Sequence, residues 1–306
     1  MRFLTSNDIV IGVQTITVIG NGRVGIALAI ALKRAGLSIE DIVFRNTEPN
    51  VDLKATFGHG TKWLRWSEYA GSTSDVLLIT TQDSEIRGVV DAMTDWASFP
   101  KVILHTSGAL SSEILSGARE YGSSIGSLHP ITAISDPVSG SERLSYSYFC
   151  VEGDALALST AHRLVSLVGG NSFSIDSEHK ALYHAAAVTA AGHVIALFDT
   201  AIEMLELCDL DNITSKKILL TLVQSGIANL MTGDPAKALT GPYKRGDLAT
   251  VDLHLRALEA KVPQLIERIY LDLAERSAEM MLAADPENEK FKAIAEKIRI
   301  ANKNAV

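Results

Sequence analysis

The sequence predicts an α/β protein with two parts: a mostly parallel β-sheet covered by helices, followed by an all-helical C-terminal domain. Short apolar runs alternate with amphipathic segments up to residue 176, strand-like runs cease beyond that point, and turn residues separate the helical segments that follow. The chain has 306 residues, 47% of them hydrophobic and 21% charged, which suits two domains with large cores. We therefore place the domains at residues 1–176 and 177–306, with residues 1–14 as an extension of the first that we expect to be poorly ordered.

The first domain alternates strands with helices. Apolar, β-branched runs predict strands at Thr15–Ile19, Ile39–Phe44, Val76–Thr80, Val102–His105, Ser124–Leu128, Tyr148–Glu152 and Ser172–Ile175. Apolar residues at helical spacing predict helices at Val24–Ala35, Ser84–Ala92, Ser111–Tyr121 and Ala155–Val168. Because ligands of such sheets bind beyond the carboxyl ends of the strands, the residues that follow each strand are the first candidates for a site.

The turn after the first strand carries the strongest motif of the chain. It reads G-x-G-x-x-G, with Gly20 permitting the tight bend, Gly22 allowing close approach of a pyrophosphate and Gly25 allowing helix and strand to pack. A strand before the motif and a helix after it are typical of a Rossmann-type dinucleotide-binding domain. The candidate phosphate-binding residues are Gly20, Asn21, Gly22, Arg23, Val24 and Gly25. A tight glycine turn without a ligand is the alternative interpretation.

The end of the second strand bears on the choice of cofactor. An acidic residue there would bind the ribose 2′-hydroxyl of NAD, whereas this chain has Arg45, Asn46 and Thr47, with no acid before Glu48. A guanidinium suits a 2′-phosphate, so these residues favour NADP. Arg45 as a solvated loop charge is the alternative.

Two further loops follow strands of the predicted sheet. Thr81 and Gln82 follow the Val76–Thr80 strand, and Ser107 follows the Val102–His105 strand, so we expect them to contact the ribose and nicotinamide. Small polar residues at such places also begin helices, and Asp83 or Ser84 would serve as a cap. Since the glycine turn binds only phosphates, a deazaflavin or another nucleotide is a further possibility.

The second half predicts helices at Ser177–Leu207, Ser215–Met231, Asp247–Ala260, Pro263–Ala284 and Pro286–Asn302. The segment Ala181–Phe198 contains no Asp, Glu, Lys or Arg and approaches the length of a membrane-spanning helix. It is rich in alanine and contains two histidines, so a helix buried between protein surfaces explains it better than a membrane span. A helix that is apolar all round must be covered on every side, which predicts a homodimer through the helical domain.

Three side chains are candidates for orienting a substrate and transferring a proton. His129 ends a strand beside the expected crevice, and Lys180 and His184, four residues apart, share a face of the first C-terminal helix. Each also has a structural alternative: a histidine at a strand end, or a polar first turn of a helix. If the helix begins where the cofactor domain ends, this face would look into a cleft between the domains.

The net charge and the cysteine content of the chain disfavour several classes of partner and site. A net charge of −8 and a pI near 5.5 disfavour nucleic acid or an anionic membrane as a partner. Cys150 and Cys208 have neither C-x-x-C nor metal-type spacing, so we expect buried, reduced thiols, no metal site and a cytoplasmic protein. The first 14 residues lack the continuous apolar core of a signal peptide.

Together these motifs resemble a family of Rossmann-like NADP-dependent oxidoreductases with a C-terminal helical domain of unknown function. The resemblance rests on the glycine turn, Leu128-His129-Pro130, Lys180-x-x-Tyr183-His184-Ala185-Ala186 and Leu239-Thr240-Gly241-Pro242-x-x-Arg245-Gly246-Asp247-x-x-Thr250. The family is similar in architecture to pyrroline-carboxylate reductases, ketopantoate reductases and prephenate-type dehydrogenases. It implies a helical dimerisation domain and hydride transfer to or from a small C=O or C=N substrate held between the domains.

One position departs from the family pattern. Gly192 stands where an asparagine usually follows the Tyr-His-Ala-Ala block, so an amide that would orient a substrate is missing. A non-catalytic sensor that binds NADP(H) and signals its occupancy through the dimer is therefore the alternative function.

Overall fold

The computed structural model describes residues 12–304, so most of the predicted N-terminal extension lies outside the described residues. The chain forms two compact units, residues 1–189 and 190–306. The boundary between them falls inside a long helix, later in the chain than the boundary expected at residue 176.

The first unit is built on one eight-stranded sheet. Its strands are β1 (Thr15–Ile19), β2 (Ser38–Phe44), β3 (Lys62–Arg65), β4 (Val76–Ile79), β5 (Val102–His105), β6 (Ser124–Ile131), β7 (Tyr148–Gly153) and β8 (Asn171–Ser174). They lie in the order β3-β2-β1-β4-β5-β6-β7-β8, and all neighbours pair in parallel except β6 and β7. The predicted α/β class with a mostly parallel sheet is confirmed.

Both faces of this sheet are covered. Val18, Leu78 and Leu104 belong to one buried cluster, whereas their neighbours Ile19 and Leu77 belong to another, as the two-residue period of a strand requires. The helices of this unit are α1 (Arg23–Arg34), α2 (Val51–Phe57), α3 (Asp83–Asp91), α4 (Pro137–Arg143) and α5 (Ala155–Leu167), with a 3₁₀ helix at Ser112–Tyr121.

The sequence pattern missed the shortest elements. Strand β3, only four residues long at the sheet edge, follows a loop with turn residues and shows no clear alternation. Helix α2 has one buried residue, Phe57, so it has no apolar stripe to recognise. Helix α4 does carry a start signal, because Asp136 caps it immediately before Pro137.

The second unit is helical, as predicted. It contains most of α6 (Lys180–Glu206) and the whole of α7 (Asn212–Thr232), α8 (Pro235–Ala238), α9 (Gly241–Arg245), α10 (Leu248–Lys261), α11 (Gln264–Ala284) and α12 (Glu289–Asn304). Val251, Ala274, Ala278, Ile294 and Ile298 form its buried cluster.

Helices α6 and α7 leave a large apolar surface open in the single chain. Exposed residues include Ile195 (70%), Leu222 (67%) and Met231 (83%). The segment Ser177–Glu206 is long and apolar enough to cross a membrane by length and composition alone. The expectation that both cysteines are buried is wrong for Cys208, which is exposed in the turn after α6; Cys150 is buried in β7.

Candidate functional site

The glycine turn joins β1 to α1 at the carboxyl edge of the sheet. Gly20 has φ +111°, a conformation that favours glycine, and a Cβ there would lie 2.8 Å from the Thr80 backbone. A Cβ on Gly25 would collide with the Thr80 hydroxyl and the Gly20 carbonyl oxygen. These two glycines are therefore required by the protein itself.

Gly22 differs from them, because a Cβ built on it would meet nothing within 4 Å and its φ is −71°. Neither packing nor backbone conformation requires glycine here, so the open space in front of Gly22 suits a bound group. Gly22 is the N-cap residue of α1, and no side chain there bonds the free amides of the first turn. The first turn of α1 also contains no acidic residue. The amides of Arg23, Val24 and Gly25 thus begin a helix whose positive end is available to phosphates.

A cavity of about 250 Å³ lies beside this turn. Its walls come from the ends of β1, β2 and β4, with Trp66 and the first turns of α3. The predicted residues that line it are Gly20, Asn21, Gly22, Arg45, Asn46, Thr47, Thr81 and Gln82. The cavity thus brings the glycine turn and the polar end of β2 together, and Asn21 Nδ2 donates to the Thr47 carbonyl at 2.7 Å.

Arg45 is paired within this cavity. Its guanidinium donates to Glu85 at 2.8 Å and lies 5.8 Å from the centre of the Trp66 ring. The first acid after β2, Glu48, is turned elsewhere, because it pairs with Arg65 at 3.0 Å and with Lys54 at 3.2 Å. The sequence analysis did not predict Glu85 or Trp66. Their positions in the chain were the available signal, because Trp66 directly follows β3 and Glu85 lies in the first turn of the helix that follows β4.

The loop residues proposed for the ribose and nicotinamide differ in their availability. The Thr81 hydroxyl is buried without a hydrogen-bond partner among the described residues, so it is free to bond a ligand. Gln82 caps α3 with its backbone and exposes its side chain. The Ser107 hydroxyl is used internally, since it donates to Asp83 at 2.8 Å and accepts from the amides of Ala109 and Leu110.

A second polar cluster lies at the ends of β5 and β6. His129 Nδ1 is 2.7 Å from the Tyr183 hydroxyl, which also bonds the Cys150 thiol. Burial, aided by the nearby Lys180 ammonium and His184, lowers the pKa of His129 to about 4. Burial also raises the pKa values of Tyr183 and Cys150, so all three groups are neutral near pH 7.

The two predicted histidines meet over Gly108. A Cβ on Gly108 would lie 2.8 Å from His129 Nε2 and would collide with His184 Nδ1. The imidazole rings stand 5.5 Å apart and nearly perpendicular. His184 Nδ1 is buried with no hydrogen-bond partner in the described part of the chain. Gly108 therefore makes room for the pair.

Lys180 is adjacent to this cluster and does not open to solvent, with 1% exposure. Its ammonium donates to the Ser107 carbonyl at 3.0 Å and to the Ser127 hydroxyl at 2.9 Å, linking α6 to the ends of β5 and β6. Burial lowers its pKa, an effect opposed by Cys150, Glu152 and Asp83. The structure thus places Lys180 as a buried cation behind the histidines.

His105 adds a second neutral imidazole to the interior. Its Nδ1 accepts from the Ser107 amide at 3.1 Å, which places the ring proton on Nε2. Burial, followed by the Lys180 charge, lowers its pKa to about 3. Cys150 was not predicted as a site residue, because only the fold brings β7 beside Tyr183 and His129.

Comparisons with known proteins agree with this architecture. Residues 4–130 match the profile of a Rossmann-like domain, and residues 147–277 match a domain of unknown function, DUF2520. No curated protein matches the sequence significantly.

Solved structures share the fold across nearly the whole chain. A protein from Thermotoga maritima is 22% identical, with 94% of this chain and 98% of that chain covered and a TM-score of 0.64. A pyrroline carboxylate reductase from Plasmodium falciparum, solved with NADP bound, is 14% identical over 94% and 99% of the two chains, with a TM-score of 0.54. An imine reductase from Myxococcus stipitatus in complex with NADP⁺ is 18% identical over 95% and 94%, with a TM-score of 0.56. The chain therefore matches the Rossmann-like model in its first part and the DUF2520 model in its second, and its fold is similar to that of these solved reductases.

Proposed function

We propose that this protein is an NADP(H)-dependent oxidoreductase that transfers a hydride to or from a small C=O or C=N substrate. The observation that carries the proposal is Gly22, whose missing side chain serves no packing need and leaves space in front of the first turn of α1. The solved neighbours that bind NADP support the same assignment.

The sheet order gives the dinucleotide a direction. The ends of β2, β1, β4, β5 and β6 follow one another across the sheet. Arg45 at β2 would hold the 2′-phosphate, the glycine turn after β1 would hold the pyrophosphate, and Thr81 after β4 would bond a ribose or the nicotinamide amide. The nicotinamide end would then reach the polar cluster at β5 and β6.

When bound, the nicotinamide supplies or accepts the hydride; the chain's own residues supply the proton and the orientation. If the Tyr183 hydroxyl donates to His129 Nδ1, the imidazole proton stays on Nε2; Cys150 bonds the same hydroxyl. His129 Nε2 would donate to the oxygen or nitrogen of the substrate, and the unpartnered Nδ1 of His184 would bind a second polar group. Lys180 would act as a positioning residue, because its charge adds to burial in keeping His129 neutral.

The test begins with the ligand that co-purifies, identified by mass spectrometry, and continues with titrations of NADP(H) and NAD(H). Tighter binding of NADP(H), followed by its oxidation with a member of a panel of keto acids, aldehydes and cyclic imines, would support the proposal. Tighter binding of NAD(H) would refute the cofactor assignment. Tight NADP(H) binding without turnover, together with a cofactor-dependent change of assembly, would instead identify a sensor.

The partner we propose is a second copy of the chain, seated on the exposed apolar faces of α6 and α7. A bilayer does not suit the start of the candidate span, because Lys180 is buried and bonded to the ends of β5 and β6. The carboxylates of Asp199, Glu203 and Glu206 occupy its other end. Alanine-rich helices instead allow close helix–helix packing, and an apolar patch of this extent is unusual on a monomer. A cytoplasmic homodimer is thus the assembly that we propose.

A further inference from the structure

The corner of the cavity that would receive the 2′-phosphate contains its own counter-charge. Arg45 is the cation of this corner, and the Glu85 carboxylate, 2.8 Å away, already occupies part of its guanidinium. Both side chains line the cavity and are partly exposed, by 47% and 33% respectively. The pair therefore faces the space in which a nucleotide would lie.

Arg45 is held from two sides. Glu85 projects from the first turn of α3, and the Trp66 ring lies 5.8 Å from the guanidinium carbon. Glu48 pairs with Arg65 and Lys54 and so does not compete for Arg45. Glu85 is thus the carboxylate that any anion approaching Arg45 must meet.

We propose that Glu85 sets the cofactor selectivity of this site by opposing a 2′-phosphate at Arg45; this inference rests on the proposed dinucleotide function. Arg45 has enough donors to bind both anions, but a carboxylate and a phosphate on one guanidinium repel each other. A cofactor with a 2′-hydroxyl brings no charge to this corner and avoids that repulsion. Glu85 therefore lowers the affinity for the phosphorylated cofactor selectively and leaves the site with a moderate preference for NADP over NAD.

The inference is tested by binding, without turnover. We would titrate NADP⁺ and NAD⁺, and the fragments 2′,5′-ADP and 5′-ADP, into the wild type, Glu85→Gln and Arg45→Gln by calorimetry. For Glu85→Gln we expect NADP⁺ and 2′,5′-ADP to bind about three- to tenfold more tightly, and NAD⁺ and 5′-ADP to change by less than about twofold. For Arg45→Gln we expect the phosphorylated pair alone to weaken, by about tenfold or more.

A matched control is available in Glu113, which pairs with Arg119 at 2.7 Å but does not line the cavity. Glu113→Gln makes the same change of net charge and should leave all four dissociation constants unchanged. Equal tightening in Glu113→Gln and Glu85→Gln would show that the effect comes from overall charge and would overturn the inference.

The remaining outcomes separate this inference from the proposed function. If Arg45→Gln weakens NADP⁺ but Glu85→Gln leaves the NADP⁺/NAD⁺ ratio unchanged, the inference is wrong and the function stands. If Glu85→Gln weakens NAD⁺, Glu85 binds the ribose hydroxyls and the inference is also wrong. Absence of binding of either dinucleotide to the wild type would overturn both.

Discussion

Gly22 and Gly25 lie three residues apart in the same turn, yet their replacement by alanine should have opposite consequences. At Gly22 the added methyl meets nothing within 4 Å, and φ −71° suits alanine. Alanine is a poorer helix cap than glycine, but it also lowers the entropy of the unfolded chain, so we expect a stability change of less than about 1 kcal/mol. At Gly25 the methyl collides with Thr80 and Gly20, which should cost about 1–3 kcal/mol.

Although Gly22→Ala should hardly change stability, it should weaken the binding of NADP⁺. The Gly22 methyl would stand where the pyrophosphate approaches the amides of α1, and the loss of one or two charge-assisted hydrogen bonds amounts to about 2–3 kcal/mol, or about 30- to 150-fold in the NADP⁺ dissociation constant. Urea denaturation would measure the stabilities, and calorimetry would measure the affinities at one salt concentration. Gly60→Ala is the control, because this exposed glycine also meets nothing within 4 Å and does not line the cavity. A Gly22→Ala protein that binds NADP⁺ as tightly as the wild type would refute the assignment of the turn to phosphates.

Three further predictions concern the polar cluster and the helical unit. Acidification from pH 7 to pH 5 should remove about 3–4 kcal/mol of unfolding free energy, since His105 and His129 have folded pKa values of about 3 and about 4. The unfolded chain, with a histidine pKa near 6.5, binds protons in this range and the folded chain does not, so stability falls as pH falls. Urea denaturation at several pH values measures this loss, and His105→Gln should make the stability depend less on pH. Gly108→Ala should displace His129 and His184 and lower kcat by at least about tenfold once a substrate is known, with NADP⁺ affinity unchanged by calorimetry. Leu222→Glu should convert the proposed dimer into monomers in light scattering, because a carboxylate would enter the apolar face of α7.

The geometry of the glycine turn could be predicted from the sequence because its determinants are local. A strand, a glycine turn and a helix occupy consecutive residues, and the backbone conformation at Gly20 follows from its residue type. The structure has Arg45 and the glycine turn lining one cavity, and because the end of β2 is likewise a continuous segment, Arg45 was predicted from the sequence. Glu85 was not, because its relation to Arg45 depends on α3 following a strand two positions away in the sheet.

The polar cluster shows the opposite case. His129 and His184 stand out as titratable residues beside apolar segments, but nothing in the sequence indicates that both pack against Gly108 or that Cys150 bonds Tyr183. Those contacts arise from the pairing of β6 with β5 and β7 and from the start of α6 above them. Parallel strands end at the same edge of a sheet, so side chains that meet there are separated in the sequence by the loops and helices that connect the strands.

The burial of Lys180 changes how the cluster must work. An accessible lysine would itself serve as a proton donor, whereas this ammonium is 1% exposed and already donates to Ser107 and Ser127. Its charge acts at a distance instead, by adding to the burial that keeps His105 and His129 neutral. A neutral imidazole is a weak acid but a good hydrogen-bond donor, so we infer that His129 polarises the substrate carbonyl or imine and gives up its Nε2 proton only as negative charge develops there during hydride transfer. Lys180→Met would remove that charge, raise the pKa of His129 and shift the acid limb of a kcat profile to higher pH; an unchanged acid limb in a folded variant would show that the ammonium does not control the histidine.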